Sequence, residues 1–379
     1  MKKVAISGAD AASIAMRQCE PGVVAAYPIT PQTPIIENFA KFAAEGLVDT
    51  EFITVESEHS VISAVIGASA AGVRAMTATS SQGLALMFEP MGVASGLRLP
   101  IIMNVANRAL SGPINIHCDY SDTMGVRDSG WIQIYSETAQ EVYENTLLAV
   151  KIAEEVSLPI MVCQDGFIVS HCVEPVEIFE DEKIKNFVGE YQPKRHLLNT
   201  NDPFTYGPLC LQDSFFEVKK EQEDAILKAK DSFLKHGKEL SKITKRKYDV
   251  IECYNLTNAK CVIVALGSTV GNIKAFIDKK NNPNYGVLKI NLFTPFPYED
   301  VAKALRDSIS IAVLDRSLSS GSNAPAYSNV LNACPNKNIQ SYIYGLGGRE
   351  IYEEDIEEIF QELEKGKFEK RKFIGLKNG

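Results

Sequence analysis

The sequence predicts a parallel α/β protein in two successive domains, and three observations carry that prediction. Short β-branched runs alternate with helix-like segments over almost the whole chain, the pattern of crossover-connected parallel strands. Several of these runs are apolar on both faces, as strands covered by helices on either side must be. The chain has 379 residues, enough for two domains at about 150 residues each. The alternation is interrupted once, between Glu174 and Lys247.

In the first part, strands are expected at Lys3–Ser7, Val23–Tyr27, Phe52–Val55, Ala75–Thr79, Ile101–Val105 and Ile160–Cys163. Helices are expected at Pro34–Glu45, His59–Ala71, Gly83–Gly96 and Ala139–Glu155. The second of these is small and apolar nearly all round, so it should be buried against another helix or another chain. From Glu174 to Pro208 the text is polar and aromatic with scattered Pro and Gly, which predicts irregular structure. Asp213–Lys247 reads as one long helix, with Val218, Ile226, Ala229, Phe233, Leu240 and Ile243 mostly at three-or-four spacing. A second unit follows, with strands at Cys261–Leu266, Gly286–Ile290, Ile309–Leu314 and Ile339–Tyr344. Its helices are expected at Val270–Asp278, Tyr298–Arg306, Ala324–Leu331 and Glu353–Leu363, and the basic tail Lys365–Lys377 as a solvated end.

Composition narrows the function. The net charge of −9 argues against nonspecific binding to nucleic acid or to an anionic membrane. Eight cysteines without a Cys-x-x-Cys pair match no zinc or iron–sulfur spacing, and suit a reducing cytoplasmic location. Asp10 arrives before a hydrophobic stretch of useful length, so no signal peptide is expected. The uncharged stretches are too short or too broken to span a bilayer. Five histidines show no metal-ligand spacing, and neither a Gly-x-Ser-x-Gly elbow nor a Walker lysine motif is present. Gly267–Gly271 follows a strand and opens a helix, where backbone N–H groups could hold an anion or simply make a tight turn. Gly345–Arg349 closes the last strand, as a packed turn or as a contact to a neighbouring subunit.

The remaining candidates lie in the first part. Pro28, Pro31 and Pro34 stiffen the Tyr27–Pro34 loop at a strand end, which would place a hydroxyl against a substrate or leave Thr33 to cap the next helix. Glu58 opens the small apolar helix, where a carboxylate either favours the helix dipole or holds a proton for catalysis. Arg108 follows a strand and precedes an uncharged stretch, and its fork suits a carboxylate substrate.

Taken together, Ala26-Tyr27-Pro28-Ile29-Thr30-Pro31-Gln32-Thr33-Pro34, Glu56-Ser57-Glu58-His59, Thr79–Met87, Arg98-Leu99-Pro100 and Ala106–Ala109 make a recognisable series. Arg127–Trp131, Gln164–Phe167, Leu314–Ser317 and Tyr344–Arg349 extend it. In this order they resemble the alpha subunits of the pyruvate:ferredoxin oxidoreductases, within the wider 2-oxoacid:ferredoxin oxidoreductase family, over nearly the whole chain. The resemblance implies a parallel-sheet, pyrimidine-type thiamine-diphosphate-binding domain over residues 1–250, and a transketolase C-terminal-like α/β domain over 251–379. Ala9 and Ala324 depart from the family pattern, which has asparagine and glycine there.

Roles follow from the same resemblance. The glutamate matching Glu58 bonds the pyrimidine ring of thiamine diphosphate and promotes deprotonation of its thiazolium, and Pro28 and Ile29 belong to the cofactor-binding loop. Thr30 would contact the substrate carbonyl, and Arg108 would pair with its carboxylate. Pyruvate would be oxidatively decarboxylated with coenzyme A, reversibly, electrons passing to ferredoxin. No Gly-Asp-Gly diphosphate motif and no cluster-binding cysteine set occurs here. Magnesium and the iron–sulfur clusters are therefore expected on beta-, gamma- and delta-type partner subunits, with thiamine diphosphate shared. Rival substrates are 2-oxoisovalerate, aromatic 2-oxoacids and oxalate. A noncatalytic scaffold and a nucleotide-binding dehydrogenase are the readings of other classes; the second lacks its Gly-x-Gly-x-x-Gly fingerprint.

Overall fold

The computed structural model describes residues 2–366 and 371–377. The chain begins with β1 (Lys2–Ser7), α1 (Gly8–Gln18), β2 (Val23–Ala26), α2 (Thr33–Ala44), β3 (Glu51–Thr54) and α3 (Glu58–Ala71). Next come β4 (Ala75–Thr79), α4 (Ser81–Leu86), α5 (Phe88–Gly96), β5 (Ile101–Asn107), α6 (Ser121–Gly125), β6 (Ile132–Ser136), α7 (Ala139–Val156) and β7 (Ile160–Asp165). The middle holds β8 (Val173–Ile178), α8 (Asp181–Val188) and the long α9 (Phe215–Thr244). The last part holds β9 (Ile251–Tyr254), β10 (Cys261–Ala265), α10 (Thr269–Lys280), β11 (Tyr285–Ile290), β12 (Leu292–Thr294) and α11 (Tyr298–Ala304). It closes with β13 (Ser310–Asp315), α12 (Pro325–Ala333), β14 (Asn338–Ile343), α13 (Glu353–Lys365) and β15 (Lys372–Phe373).

Buried strands with no polar face pair in parallel, as their composition requires. The first sheet has the order β12-β6-β7-β5-β4-β2-β3, parallel except for β12, and the second has β15-β14-β13-β10-β11-β9, parallel except for β9. Strand β12 comes from the C-terminal part of the chain and edges the first sheet, so the chain passes from β11 in the second sheet directly to the edge of the first. One apolar cluster also spans them: Met91, Trp131 and Tyr135 lie in it with Val262, Leu288 and Ile311.

Several expectations change. The first strand does not join the parallel sheet; β1 pairs antiparallel with β8 in a separate ribbon, and its half-exposed residues explain why. Strand β8 and helix α8 occupy the segment expected to be irregular, with Glu174, Pro175 and Glu177 masking the alternation. Helix α1 was not expected, although its capping box is plain: the Ser7 N–H donates to Asp10 Oδ2 at 2.9 Å and Asp10 N–H to Ser7 Oγ at 3.2 Å. The helix expected at Gly83–Gly96 is two helices joined at Met87, because Pro90 lacks the N–H that would continue the ladder. The basic tail is not simply a solvated end, since β15 pairs with β14; residues 367–370 lie outside the described residues. Ala324 is the extended N-cap of α12 at φ −65°, a conformation that needs no glycine.

Helix α3 is buried on one face only. Val61, Ile62 and Val65 are inaccessible, each contributing about 1.5–3 kcal/mol of burial. His59, Ser63 and Gly67 face outward in the single chain. Helix α9 lays Ala225, Ala229, Phe233 and Leu240 against the cluster that contains Leu147 and Val150 of α7. Across the two halves, the buried Lys289 ammonium of β11 lies 2.8 Å from Glu137, 2.5 Å from Glu141 and 3.5 Å from Glu252, and Lys274 of α10 bridges Glu137 and Glu252. These three carboxylates are close enough to hold a metal ion, but two lysines already compensate them. Among the described residues no helix is long and apolar enough to cross a membrane.

Candidate active site

Parallel pairing brings the carboxyl ends of β2, β3, β4, β5 and β7 to one edge of the first sheet, where ligands bind in such folds. Thr30 follows β2, Glu58 follows β3, Ser81 and Gly83 follow β4, and Arg108 follows β5. Thus all the candidate residues from the sequence stand on the same edge.

The Gln32 side-chain amide ties the Tyr27–Gln32 loop to β4. Gln32 is fully buried; its Oε1 accepts from the Ile29 N–H at 3.3 Å, and its Nε2 donates to the Ala78 carbonyl of β4 at 3.0 Å. Gln32, not Thr33, is the residue before α2, and it makes no side-chain cap; Pro34 supplies the helix start instead. Pro28 and Thr30 are exposed and Ile29 half-buried. The Thr30–Pro31 peptide is cis, and the Thr30 hydroxyl has no partner among the described residues.

Glu58 opens α3 behind Ser57, whose hydroxyl accepts the Ser60 N–H at 3.3 Å. The Glu58 side chain is buried, yet its carboxylate makes no hydrogen bond or ion pair to a described residue. It rests against Gly83: a Cβ there would stand 2.7 Å from Glu58 Oε1 and 2.6 Å from Thr79 Oγ1. Thr79 Oγ1 is itself buried without a partner. A buried hydroxyl without a partner is costly unless a ligand completes it, and the unpartnered Glu58 carboxylate beside it is free to meet the same ligand.

Arg108 is only 6% exposed and has no carboxylate within ion-pair distance. Its Nη1 donates to the Thr30 carbonyl at 2.9 Å and its Nε to the Asn115 carbonyl at 3.0 Å, so Thr30 and Arg108 are directly joined. Its Nη2 makes no hydrogen bond to a described residue. Burial lowers the guanidinium pKa and the charge of Asp122 opposes that, but an arginine stays charged here. A desolvated cation held by two neutral carbonyls is poised for an anion.

Asp122 was not singled out in the sequence, and it organises this edge. Its Oδ2 accepts from the backbone N–H groups of Ser81 at 3.1 Å and Arg108 at 2.9 Å. Its Oδ1 accepts from Asn107 Nδ2 at 2.9 Å and the Thr123 N–H at 2.8 Å. Burial pushes its carboxyl up to about 7, against the downward pull of those donors. Its only sequence signal was an acidic residue in a weakly charged stretch.

A second buried group joins the two halves. Asp165, at the end of β7, accepts from Tyr120 Oη at 2.7 Å, Ser268 Oγ at 2.5 Å, the Ser268 N–H at 3.3 Å and Arg316 Nη1 at 2.8 Å. Burial, and then the Asp165 carboxylate, push the Tyr120 phenol well above its ordinary range, so it remains a donor. The turn after β10 that could have held a phosphate is therefore met by the protein's own carboxylate. Gly267 leaves room for this, since a Cβ there would lie 2.0 Å from Tyr120 Oη. The Gly345–Arg349 turn likewise packs on its own chain, against Asn115 and His117.

Comparisons with known proteins show the family. Residues 14–237 match the family described as pyruvate flavodoxin/ferredoxin oxidoreductase, thiamine diphosphate-binding, and residues 259–356 match pyruvate:ferredoxin oxidoreductase core domain II. The pyruvate synthase subunit PorA of Thermotoga maritima is 51% identical over 100% of this chain and 99% of its own length. That of Methanocaldococcus jannaschii is 48% identical over 98% and 97%. The ketoisovalerate oxidoreductase subunit VorA of Pyrococcus horikoshii is 39% identical over 96% and 94%. Among solved structures, 2-oxoglutarate:ferredoxin oxidoreductase from Magnetococcus marinus, with 2-oxoglutarate, coenzyme A and succinyl-CoA bound, superposes with a TM-score of 0.76 at 18% identity. This likeness, over 96% of the present chain and 65% of that one, concerns the fold. With both family matches in order along the sequence and full-length relatives at this identity, the chain belongs to the pyruvate:ferredoxin oxidoreductase family, among its subunits of the PorA kind.

Proposed function

We propose that the chain is the alpha-type subunit of a pyruvate:ferredoxin oxidoreductase, acting in the cytoplasm with beta-, gamma- and delta-type partners. The complex would convert pyruvate and coenzyme A to acetyl-CoA and carbon dioxide, passing electrons to ferredoxin, in a reversible reaction. The observation that carries the reading is Arg108, a buried cation without a carboxylate partner that is bonded to the Thr30 loop on the same sheet edge as the unpartnered Glu58. The substrate class follows from the greater identity to PorA than to VorA relatives.

The residues fit one side of thiamine diphosphate. Glu58 offers a carboxylate without a hydrogen-bond partner on a residue only 7% exposed, Thr79 a buried, unpartnered hydroxyl, and Gly83 leaves the space beside them empty of a side chain. Glu58 would hold a nitrogen of the pyrimidine ring, with Pro28 and Ile29 lining the cofactor loop. Bound there, the cofactor supplies a nucleophilic carbon and an electron sink for the bond to the carboxylate. The diphosphate, its magnesium and the iron–sulfur clusters fall to the partners.

Each residue of this chain then has a distinct task. Arg108 Nη2 pairs with the 2-oxoacid carboxylate and orients it, an interaction stronger in a desolvated site than in water. The Thr30 hydroxyl donates to the 2-oxo oxygen, where negative charge develops. Glu58 retains or yields a proton at the ring nitrogen, and exclusion of water keeps that exchange internal. The scaffold reading has no use for a buried carboxylate left without a partner.

The test is mild anaerobic affinity purification of the tagged chain from its host, with partners identified and iron, sulfide and thiamine diphosphate quantified. Smaller partner chains, bound cofactors and pyruvate- and coenzyme A-dependent ferredoxin reduction support the reading. A lone chain without cofactor refutes it, and faster turnover of 2-oxoisovalerate than of pyruvate refutes the substrate.

A further inference from the structure

The loop that carries Arg108 is anchored in the other half of the molecule. Between Ser111 and His117 every residue is exposed except Asn115, which is half-buried. The Asn115 carbonyl receives Arg108 Nε at 3.0 Å, while its side chain turns the other way. Nδ2 donates to the Gly347 carbonyl at 3.0 Å, and Oδ1 accepts the His117 N–H at 2.7 Å. The Gly347 N–H returns to Asp119 Oδ2 at 3.1 Å, and Asp119 Oδ1 takes the Ser121 N–H at 2.9 Å. One residue of the turn after β14, Gly347, is thus gripped at both its N–H and its carbonyl by the Arg108 loop.

Glycine is required for that grip. Gly347 and Gly348 have φ +61° and +80°, and a Cβ would lie 2.4 Å from Asn115 Nδ2 at the first and 2.3 Å from His117 Cβ at the second. At its base the loop is closed by the Ala109 N–H to the His117 carbonyl at 3.0 Å, and Gln82 Nε2 donates to Ser111 Oγ at 2.6 Å; between these, Gly112, Pro113 and Ile114 are exposed, with Ile114 at 76%, and Asn115 alone reaches the turn after β14.

We propose that Asn115 is a positioning residue for the substrate arginine, and that the Gly345–Gly348 turn sets 2-oxoacid affinity by holding Asn115. This inference rests on the reading of Arg108 as the carboxylate partner. Side-chain loss at Asn115 frees the carbonyl that fixes the guanidinium, so the fork samples more orientations and binds the carboxylate less often. The cofactor side of the site, around Glu58 and Gly83, is untouched.

The experiment uses the assembled complex carrying Asn115→Ala, Gly347→Ala or Arg108→Ala. The first two should raise KM for pyruvate about tenfold, equivalent to about 1.4 kcal/mol, with KM for coenzyme A and thiamine diphosphate content unchanged. Binding of oxamate, a nonreacting carboxylate analogue, should weaken in parallel, and backbone amides over residues 109–118 should exchange hydrogen faster. A structural defect alone would instead lower cofactor content and kcat with KM intact, and that result overturns the proposal. If Arg108→Ala raises KM while Asn115→Ala and Gly347→Ala do not, the positioning role is overturned and the substrate reading stands. An unchanged KM in Arg108→Ala overturns both.

Discussion

Replacing Gly83 by alanine separates the cost of moving one carboxylate from the cost of damaging the fold. Gly83 lies within α4 with an ordinary helical backbone, where the change to alanine stabilises proteins by about 0.4–1 kcal/mol when space is free. Here the new Cβ would stand 2.7 Å from Glu58 Oε1, 2.6 Å from Thr79 Oγ1 and 2.9 Å from Glu58 Cγ. Reaching ordinary contact at 3.4 Å moves the Glu58 oxygen by at least 3.4 − 2.7 = 0.7 Å. A displacement of about 1 Å at a reacting group costs about 100-fold in rate. The assembled variant should therefore reduce ferredoxin with pyruvate and coenzyme A about 100-fold more slowly. Its melting temperature should move by less than about 4 °C, the shift expected of a 1 kcal/mol change in a large domain. The matched control is Gly271→Ala in α10, where the nearest atom to a Cβ is Glu137 Oε1 at an ordinary 3.4 Å, and turnover should not change. Full turnover of Gly83→Ala would refute the placement of Glu58 at the chemistry. A collapse in melting temperature would refute the view that only the Glu58 carboxylate and the Thr79 hydroxyl give way.

Three other outcomes are expected. Glu58→Gln keeps the shape but cannot hold the charge, so ferredoxin reduction should be lost in a complex that still assembles; retained turnover removes Glu58 from the chemistry. The Asp122 carboxyl, at about 7 in the folded chain against 3.8 unperturbed, binds a proton more readily folded than unfolded. Its contribution to stability should therefore rise as pH falls from about 7 toward 4. Protonation meanwhile removes the negative charge that the N–H groups of Ser81 and Arg108 face and weakens both bonds, so KM for pyruvate should rise below about pH 7, measured beside a melting profile. Asp122→Asn should abolish that KM inflection, and its persistence would assign it to another group. Finally, Lys289→Met leaves Glu137, Glu141 and Glu252 with Lys274 alone and should cost about 3–5 kcal/mol. Calorimetry should show a melting temperature lower by about 6 °C or more, and an unchanged transition would show that the network does not hold the halves together.

Legibility in the sequence followed burial. Strands β4, β5, β7, β10 and β13 were legible because each holds an apolar or β-branched run buried on both faces, which a residue such as Thr77 or Asn104 does not mask. Strand β6 was not, since Ile132-Gln133-Ile134-Tyr135-Ser136 carries Gln133 and Ser136 into the interior, where local pattern reads them as surface. The three-residue β12 is too short to show a period, and its pairing is decided by β6, far away in the chain. Thr30, Glu58 and Arg108 stood out because motif and strand-end position coincide. Asp122, Asn115 and Gln32 did not, since nothing in an isolated Asp, Asn or Gln reveals which N–H or carbonyl it will meet.

Order along the chain, hydrophobic period and the placement of prolines and glycines were enough to determine a pair of parallel α/β units with reactive groups at strand ends. Those properties act over a few residues, through backbone sterics and the burial of each element's own faces. Tertiary structure alone decided which distant groups became partners. Asn115 meets Gly347 across 232 residues and Asp165 meets Arg316 across 151. Such contacts depend on the register in which two sheets dock, and that register is set by the sum of many side-chain contacts rather than by any local signal.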